Sequence, residues 1–465
     1  MGSKWKTSFL TDHYSISSGL SKPAKDFGTG YPFLSFKDIF YNYFLPDSLT
    51  QLVQSTDKER ASCSVRRGDV FLTRTSETMH ELGMSSVALK DYTDATFNGF
   101  CKRLRPKETC ELEPEYVGYY LRSPVFRQSM LAFSTMSTRA SLNNEMISRL
   151  EISYPDRKIQ KKIANILLSL DEKIAISRAI NQTLEQISQT LFKSWFVDFD
   201  PVIDNALDAG NSIPEVLQFR AELRQKVRNS ADFKPLPADI RALFPAEFEE
   251  NELGCVPKGW KISTAGDELV VKGGSTPSTS NAVFWENGTI HWTSPKDLAG
   301  NDSKVLLDTS KKITELGLLK ISSGLLPTDT VLMSSRAPIG YLALAKTPMA
   351  INQGYIAIPL SKNLSPEYII YWLENIMDDI KGMAGGTTFA EISKSAFKTI
   401  NLVIPSKNII AEFTRLAHQH FEKVVSNTRQ ITALTNLRDT LLPKLISGEL
   451  SLEDLPDIIK QTEAA

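Results

Sequence analysis

The sequence predicts an α+β protein: two β-rich domains separated by two long antiparallel helices in a coiled coil, arranged as an internal repeat with pseudo-two-fold symmetry. Three observations carry this. Pro155-Asp156 and Pro405-Ser406 each close a β-like run and open a long helical pattern, 250 residues apart. The same offset pairs Glu172-Lys173 with Glu422-Lys423, Leu184 with Leu434, and Thr190-Leu191 with Thr440-Leu441. Toward the N-terminus the offset drifts to 252 at Pro114/Pro366, 255 at Gly99/Gly354 and 259 at Lys37/Lys296, as small insertions in surface loops make it do. A protein built as two similar halves suits a ligand with approximate two-fold symmetry. Duplex DNA is the commonest, because dimeric readers mirror the symmetry of their site.

Residues 1–152 and 253–402 hold short alternating runs punctuated by Gly, Pro, Asn and Ser. Examples are Asp69-Val-Phe-Leu72 against Asp329-Thr-Val-Leu332, and Phe97-Asn-Gly-Phe100 against Asn352-Gln-Gly-Tyr355. These read as strands and tight turns. One helix interrupts each set, over residues 115–122 and 367–374. Pro114 and Pro366 stand at the heads of these helices, where proline is tolerated.

Residues 153–200 carry the first long helix. Leu167, Leu170, Ile174, Ser177, Asn181, Leu184, Ser188, Leu191 and Trp195 recur in steps of three and four, a coiled-coil seam with polar gaps at Ser177, Asn181 and Ser188. Residues 403–452 carry the second, with Phe413, Ala417, His420, Val424, Asn427, Ile431, Leu434, Arg438, Leu441 and Leu445 on the seam. Asp156 and Ser406 are good N-caps at equivalent positions. Pro201 is expected to stop the first helix, and Ser447-Gly448 the second. Residues 201–252 belong to neither copy and read as a proline-marked connector. Within it, residues 214–228 suggest a short helix with Leu217, Leu223 and Val227 inward and Arg220, Arg224 and Arg228 on a solvated face. A tail, residues 453–465, completes the chain.

Composition bounds the function. The chain is 42% hydrophobic and 23% charged, which describes ordinary globular material. No apolar run approaches a membrane span, and Met1-Gly2-Ser3-Lys4-Trp5 opens no signal peptide. Cys63, Cys101, Cys110 and Cys255 have neither metal-site nor disulfide-framework spacing, so reduced thiols in a cytoplasm are expected. The net charge of -1 argues against a free-standing nucleic-acid binder, which usually shows a basic footprint. Positive charge is local instead: Arg66, Arg67, Arg74, Lys102, Arg103, Arg105 and Lys107 cluster in the first half. That pattern points to a DNA reader working inside a larger complex.

The arrangement of β-rich domain, long helix, β-rich domain, long helix resembles the specificity subunit of type I restriction-modification systems over nearly the whole length. The resemblance is carried by Leu191-Phe-Lys-Ser-Trp-Phe-Val-Asp-Phe-Asp-Pro201, Gly254-Cys-Val-Pro-Lys-Gly-Trp260 and Leu437-Arg-Asp-Thr-Leu-Leu-Pro-Lys-Leu-Ile-Ser-Gly-Glu449. The second domain adds Gly273-Gly-Ser-Thr-Pro-Ser278, Trp292-Thr-Ser-Pro-Lys-Asp297, Ser334-Ser-Arg-Ala-Pro-Ile-Gly340, Asn352-Gln-Gly354 and Gly386-Thr-Thr-Phe389. The resemblance implies a non-catalytic subunit whose two target recognition domains each read half of a bipartite site in double-stranded DNA. The helices would serve as ruler and as platform for two methyltransferase subunits, which use S-adenosylmethionine. ATP-driven, Mg-dependent restriction subunits can join them.

The residues themselves agree that chemistry lies elsewhere. There is no G-x-x-x-x-G-K-S/T string for ATP, no glycine-rich strand-to-helix turn for a dinucleotide or S-adenosylmethionine, and no Asn-Pro-Pro-Tyr-like tetrapeptide. No cofactor is expected on this chain. Pro155-Asp156 followed by Asp171-Glu172-Lys173 imitates a nuclease motif, but helical rise sets Asp156 and Asp171 about 22 Å apart, too far to share one Mg²⁺. His418 and His420 are two apart on a helix and do not face each other. What remains is base reading from loops: Arg to guanine, Asn or Gln to adenine, Ser or Thr to either. The candidates in the first domain are Lys37, Arg74, Asn98, Arg139 and Asn143. In the second they are Ser275, Thr276, Lys296, Arg336, Asn352, Gln353, Thr387 and Thr388. For each, a turn or a helix cap is the competing role. The rival readings of the whole chain are a protein-binding scaffold with a helical spacer and an autonomous nuclease.

Overall fold

In the computed structural model, residues 5–75, 81–132, 141–252, 254–301, 303–385 and 390–453 are described. The chain forms two compact units, Met1–Ala175 with Thr432–Ala465, and Ile176–Ile431. Among the described residues no helix is long and apolar enough to cross a membrane.

In the first unit an antiparallel sheet runs in the order Tyr14–Ser18, Cys101–Pro106, Val70–Thr73, Ser85–Val87. A smaller sheet sets Phe27–Leu34 between Gln51–Val53 and Thr96–Phe97. Val70–Thr73 is buried along its whole length. Val70 and Leu72 enter a core with Tyr116, Tyr119 and Leu167, while Phe71 enters a second core with Phe97 and Cys101. Side chains alternate across a strand, so the middle of a strand covered on both faces favours apolar residues at successive positions. That is why Val-Phe-Leu is an unbroken run.

The second unit repeats the device. Its five-stranded sheet runs Leu269–Lys272, Tyr355–Ser361, Thr330–Ser334, Leu342–Ala345, Val305–Leu306. Val331 and Met333 face a core with Tyr368 and Phe413, and Leu332 faces another with Met349 and Tyr355. The helices Pro114–Tyr120 and Pro366–Asn375 begin at their prolines, as expected.

The long helices are Arg157–Phe196 and Lys407–Ser447, of 40 and 41 residues, roughly 60 Å each at 1.5 Å per residue. Asp156 caps the first, its Oδ1 accepting from Lys158 N at 2.9 Å. Gly448, at φ +76°, follows the last residue of the second. Within the second unit the helices run antiparallel. Asn427 Nδ2 donates to Asn181 Oδ1 at 2.8 Å, Ser188 Oγ lies 2.7 Å from His420 Nδ1, and Phe192 packs edge-on against Phe413. The polar gaps at Asn181 and Ser188 are thus buried rungs, and an Asn pair in such a place fixes register at some cost in stability. Within the first unit Arg438 Nη1 meets Asp171 Oδ1 at 2.6 Å, and Leu441 and Leu445 join the core of Ile163 and Leu167.

Two expectations are corrected between residues 197 and 252. The first long helix ends at Phe196, and Pro201 starts the next one, Asp200–Ala209, instead of stopping the first. The helix Gln218–Arg228 is also turned over. Phe219, Leu223 and Val227 are exposed, the first by 72%, while Leu217, in the turn before the helix, is half-buried. The arginines face inward onto the preceding helix. Arg220 makes a fork with Asp200 at 2.8 and 2.7 Å, Arg224 one with Asp204 at 2.9 and 2.7 Å, and both Arg228 and Arg241 reach Asp208. Buried carboxylates need partners, and the guanidinium fork supplies two parallel bonds to each. That requirement overrides the apolar periodicity.

Candidate nucleic-acid interface

In the second domain the chain leaves Thr330–Ser334 through a clamp of backbone bonds. Ser335 N donates to Gly354 O at 2.8 Å, and Ile392 N donates to Ser335 O at 3.1 Å. Arg336 then forms an isolated antiparallel bridge with Glu391, whose backbone also exchanges two hydrogen bonds with Gly385 at 3.1 and 3.0 Å. Arg336 Nη1 stands 3.6 Å from Glu391 Oε2. Beside them opens a hollow of about 600 Å³ lined by Gly273, Gly274, Ser335, Gln353, Glu391 and Lys394. Gly274 is required there, because a Cβ would lie 1.8 Å from Ile351 O.

The remaining second-domain candidates divide by what their polar atoms do. Thr276 and Gln353 are both exposed and joined, Thr276 Oγ1 donating to Gln353 Oε1 at 2.7 Å. Ser275 holds the loop together, its Oγ donating to Lys320 O at 2.8 Å and accepting from Ser322 N at 3.1 Å. Asn352 Oδ1 accepts from Gly354 N at 2.8 Å, a turn bond that leaves its amide NH₂ available. Lys296 is exposed in the first turn of Pro295–Leu298. Burial works against the charge of the neighbouring Asp297. Hydrogen bonds from Ser294 and Ser310 nonetheless hold that carboxyl below its ordinary range. Thr387 and Thr388 lie outside the described residues.

The first domain repeats the clamp with other side chains. Arg74 N donates to Phe100 O, Leu142 N donates to Arg74 O, both at 2.8 Å, and Thr75 bridges Ser141. Asn98 Oδ1 accepts from Phe100 N at 2.8 Å, as Asn352 does from Gly354. Lys37 is exposed in the first turn of Phe36–Tyr41, after the Ser35/Asp38 capping box that matches Ser294/Asp297. Asn143 caps Asn144–Ser148, accepting from Met146 N at 2.8 Å. Arg139 lies outside the described residues.

These bonds correct the alignment of the two copies by one residue. Asn98, not Gly99, sets the register, so Phe100 corresponds to Gly354, Arg74 to Ser335, and Thr75 to Arg336. A one-residue slip along a strand sends each side chain to the opposite face. Thr75 therefore escaped the sequence reading; Ser141, Glu391 and Lys394 were also missed, although Ser141 and Glu391 stand at the 250 offset just before the caps Asn143 and Ser393.

The expected basic cluster of the first half is largely tied up internally. Arg105 forks onto the buried Asp69, Arg103 Nη1 donates to Ser64 O at 2.6 Å, and Arg67 reaches Glu115 at 2.6 Å. Lys102 donates to Ser18 Oγ, and Lys107 to Thr11 O. Burial first, and the nearby Arg74 second, push the Lys102 ammonium below its usual pKa. Arg66 and Arg74 stay exposed. The nuclease-like groups have other partners: Asp171 accepts from Tyr119 Oη at 2.6 Å as well as from Arg438, His418 Nδ1 lies 2.9 Å from Glu367, and His420 meets Ser188. Among the described residues no group of three or more His, Cys, Asp or Glu side chains is placed to hold a metal ion.

The family model of the type I restriction modification DNA specificity domain matches residues 2–186 and 257–434, one match per copy. The chain is 29% identical to the type I restriction enzyme HindI specificity subunit of Haemophilus influenzae, over 96% of this chain and 100% of that one. It is 26% identical to the MjaIX specificity subunit of Methanocaldococcus jannaschii, over 97% and 94%. The crystal structure of the type I restriction-modification S subunit from M. genitalium superposes with a TM-score of 0.55 at 14% identity, over 95% and 96% of the two chains. That likeness supports the fold alone.

Proposed function

Because the chain belongs to the type I restriction-modification DNA specificity family, we propose that it is the non-catalytic subunit that takes its complex to a bipartite site in double-stranded DNA. Each recognition domain, within residues 1–152 and 253–402, reads one half-site. The paired helices, residues 153–200 and 403–452, set the number of unspecified base pairs between the halves. Two methyltransferase subunits, which bring S-adenosylmethionine, and restriction subunits, which bring ATP and Mg²⁺, complete the assembly in the cytoplasm. This chain supplies no cofactor of its own.

One observation carries the reading: a clamp of matching backbone bonds recurs in both copies, while the bridging side chains change from Thr75 and Ser141 to Arg336 and Glu391. A constant frame with variable side chains at its edge is what two readers of different sequences need, since bases are distinguished by side-chain donors and acceptors. Mapping methylated adenines in the host genome tests it. The expected result is one split motif with a fixed gap, lost when the gene for this chain is deleted. A contiguous motif, or a pattern indifferent to the deletion, overturns the proposal. Purified alone with S-adenosylmethionine and DNA, the chain should transfer no methyl groups.

A further inference from the structure

We infer that Glu391 is a base-reading residue and that, with Arg336, it selects a G·C pair in the second half-site. This rests on the function proposed above and narrows it to a named pair of residues and one base pair.

Geometry comes first. Arg336 and Glu391 are directly opposed in an antiparallel bridge, so their side chains leave the backbone on one face. The backbone of Glu391 is pinned on its other side by Gly385, which fixes the direction in which its side chain leaves the strand. Both side chains are partly exposed, 36% for Arg336 and 45% for Glu391, and their closest approach is 3.6 Å. That exceeds a hydrogen bond, so both groups keep their hydrogen-bonding capacity for a ligand.

Charge decides what the ligand offers. A carboxylate on a surface that meets phosphates is repelled unless it finds a donor. In the major groove the donors are the N4 amine of cytosine and the N6 amine of adenine. Arg336 chooses between them. Guanine presents O6 and N7, two adjacent acceptors that match the guanidinium fork, and the amine of its paired cytosine stands next to O6. The order acceptor, acceptor, donor across that edge matches guanidinium followed by carboxylate. On an A·T pair the adenine amine lies between the two acceptors and would meet the guanidinium donor to donor. In the first domain the same places hold Thr75 and Ser141. Hydroxyls both donate and accept, and impose no such demand.

The test uses the full chain assembled with the methyltransferase subunits of its system. Its binding is measured to duplexes in which each base pair of the second half-site is replaced in turn. Sequence preference in the unsubstituted assembly is the control; its absence there defeats the proposed function rather than this inference. Arg336→Ala and Glu391→Ala should relax the same single G·C position, each by about tenfold, with thermal melting unchanged. Glu391→Gln, which keeps an acceptor, should retain more of the preference than Glu391→Ala. Replacing the paired cytosine by pyrimidin-2-one, which lacks the N4 amine, should weaken the unsubstituted assembly and leave Glu391→Ala unaffected. If Glu391→Ala tightens all duplexes equally and relaxes none, the carboxylate reads nothing and the inference fails. It fails too if the cytosine analogue costs both proteins the same, because Glu391 then only positions Arg336.

Discussion

At the end of the short helix in each recognition domain, the two copies put opposite charges in the same place. In the first domain Arg122 is half-buried and donates to four main-chain carbonyls, those of Ser85, Ile39, Phe40 and Asn42, at 2.7–2.9 Å. In the second, at the 252 offset, Glu374 meets Lys304 Nζ at 3.0 Å, and Lys304 in turn meets Glu185. One domain is held by a cation on carbonyls, the other by two carboxylates on an ammonium. The copies share a backbone plan and fill this place with different polar contacts. Exchanging Arg122 and Glu374 alone would therefore strand the partners of each.

Removing Arg122 should break this symmetry most. Arg122→Met removes the side-chain donor of four carbonyls, and each of them left buried without a partner costs about 1–3 kcal/mol. Amide exchange is expected to accelerate throughout the sheet of Val70–Thr73 and Ser85–Val87 while the second domain keeps its protection. Equal loss in both domains would mean that they do not hold their folds independently.

Changing the spacer should leave both readers intact. Excising residues 174–180 and 428–434, one heptad from each helix, spares the Asn181–Asn427 rung and the Asp171–Arg438 pair. It shortens the helical pair by about 10 Å, or about three base pairs at 3.4 Å each. The methylated motif should then keep both half-sites and lose about three unspecified positions. A changed half-site would show that the helices contribute to reading.

A graft sharpens the comparison at the clamp. Thr75→Arg with Ser141→Glu gives the first domain the bridging pair of the second. About a tenfold new preference for G·C at one position of the first half-site is expected, with the second half-site unaltered. Neither substitution alone should reproduce it.

What the sequence revealed, and what it hid, divides along local and non-local lines. The seam and its polar positions Ser177, Asn181 and Ser188, all buried, were legible, because heptad periodicity is written in adjacent turns. The orientation of Gln218–Arg228 was not, because its determinants lie on another helix. A signal did exist: Asp200, Asp204 and Asp208 precede Arg220, Arg224 and Arg228 by 20 residues each, a ladder two facing helices can form. The bridging position of the second-domain clamp was legible where the domain has distinctive strings, as at Arg336. Its counterpart in the first domain was hidden where a one-residue register shift decided the face, as at Thr75.

The smallest expected effect concerns pH, and it separates the two locks once more. Burial, opposed by Lys304 and reinforced by the nearby Glu374, raises the Glu185 carboxyl above its ordinary value of 4.5. A carboxyl raised in the folded state binds its proton more tightly there than in the unfolded chain. Its contribution to stability is thus fully present below pH 4.5 and is lost as pH rises through the folded-state value. Lys304 donates its backbone N–H to Glu185 Oε1 at 2.8 Å, an acceptor that glutamine preserves. Glu185→Gln should therefore flatten the fall in melting temperature just above pH 4.5 without unfolding the domain. The Arg122 lock contains no carboxyl, so Arg122→Lys should leave the pH slope unchanged in the same window. Parallel slopes for the unsubstituted protein and Glu185→Gln would show that Lys304 outweighs burial, and the second lock would then be as indifferent to acid as the first.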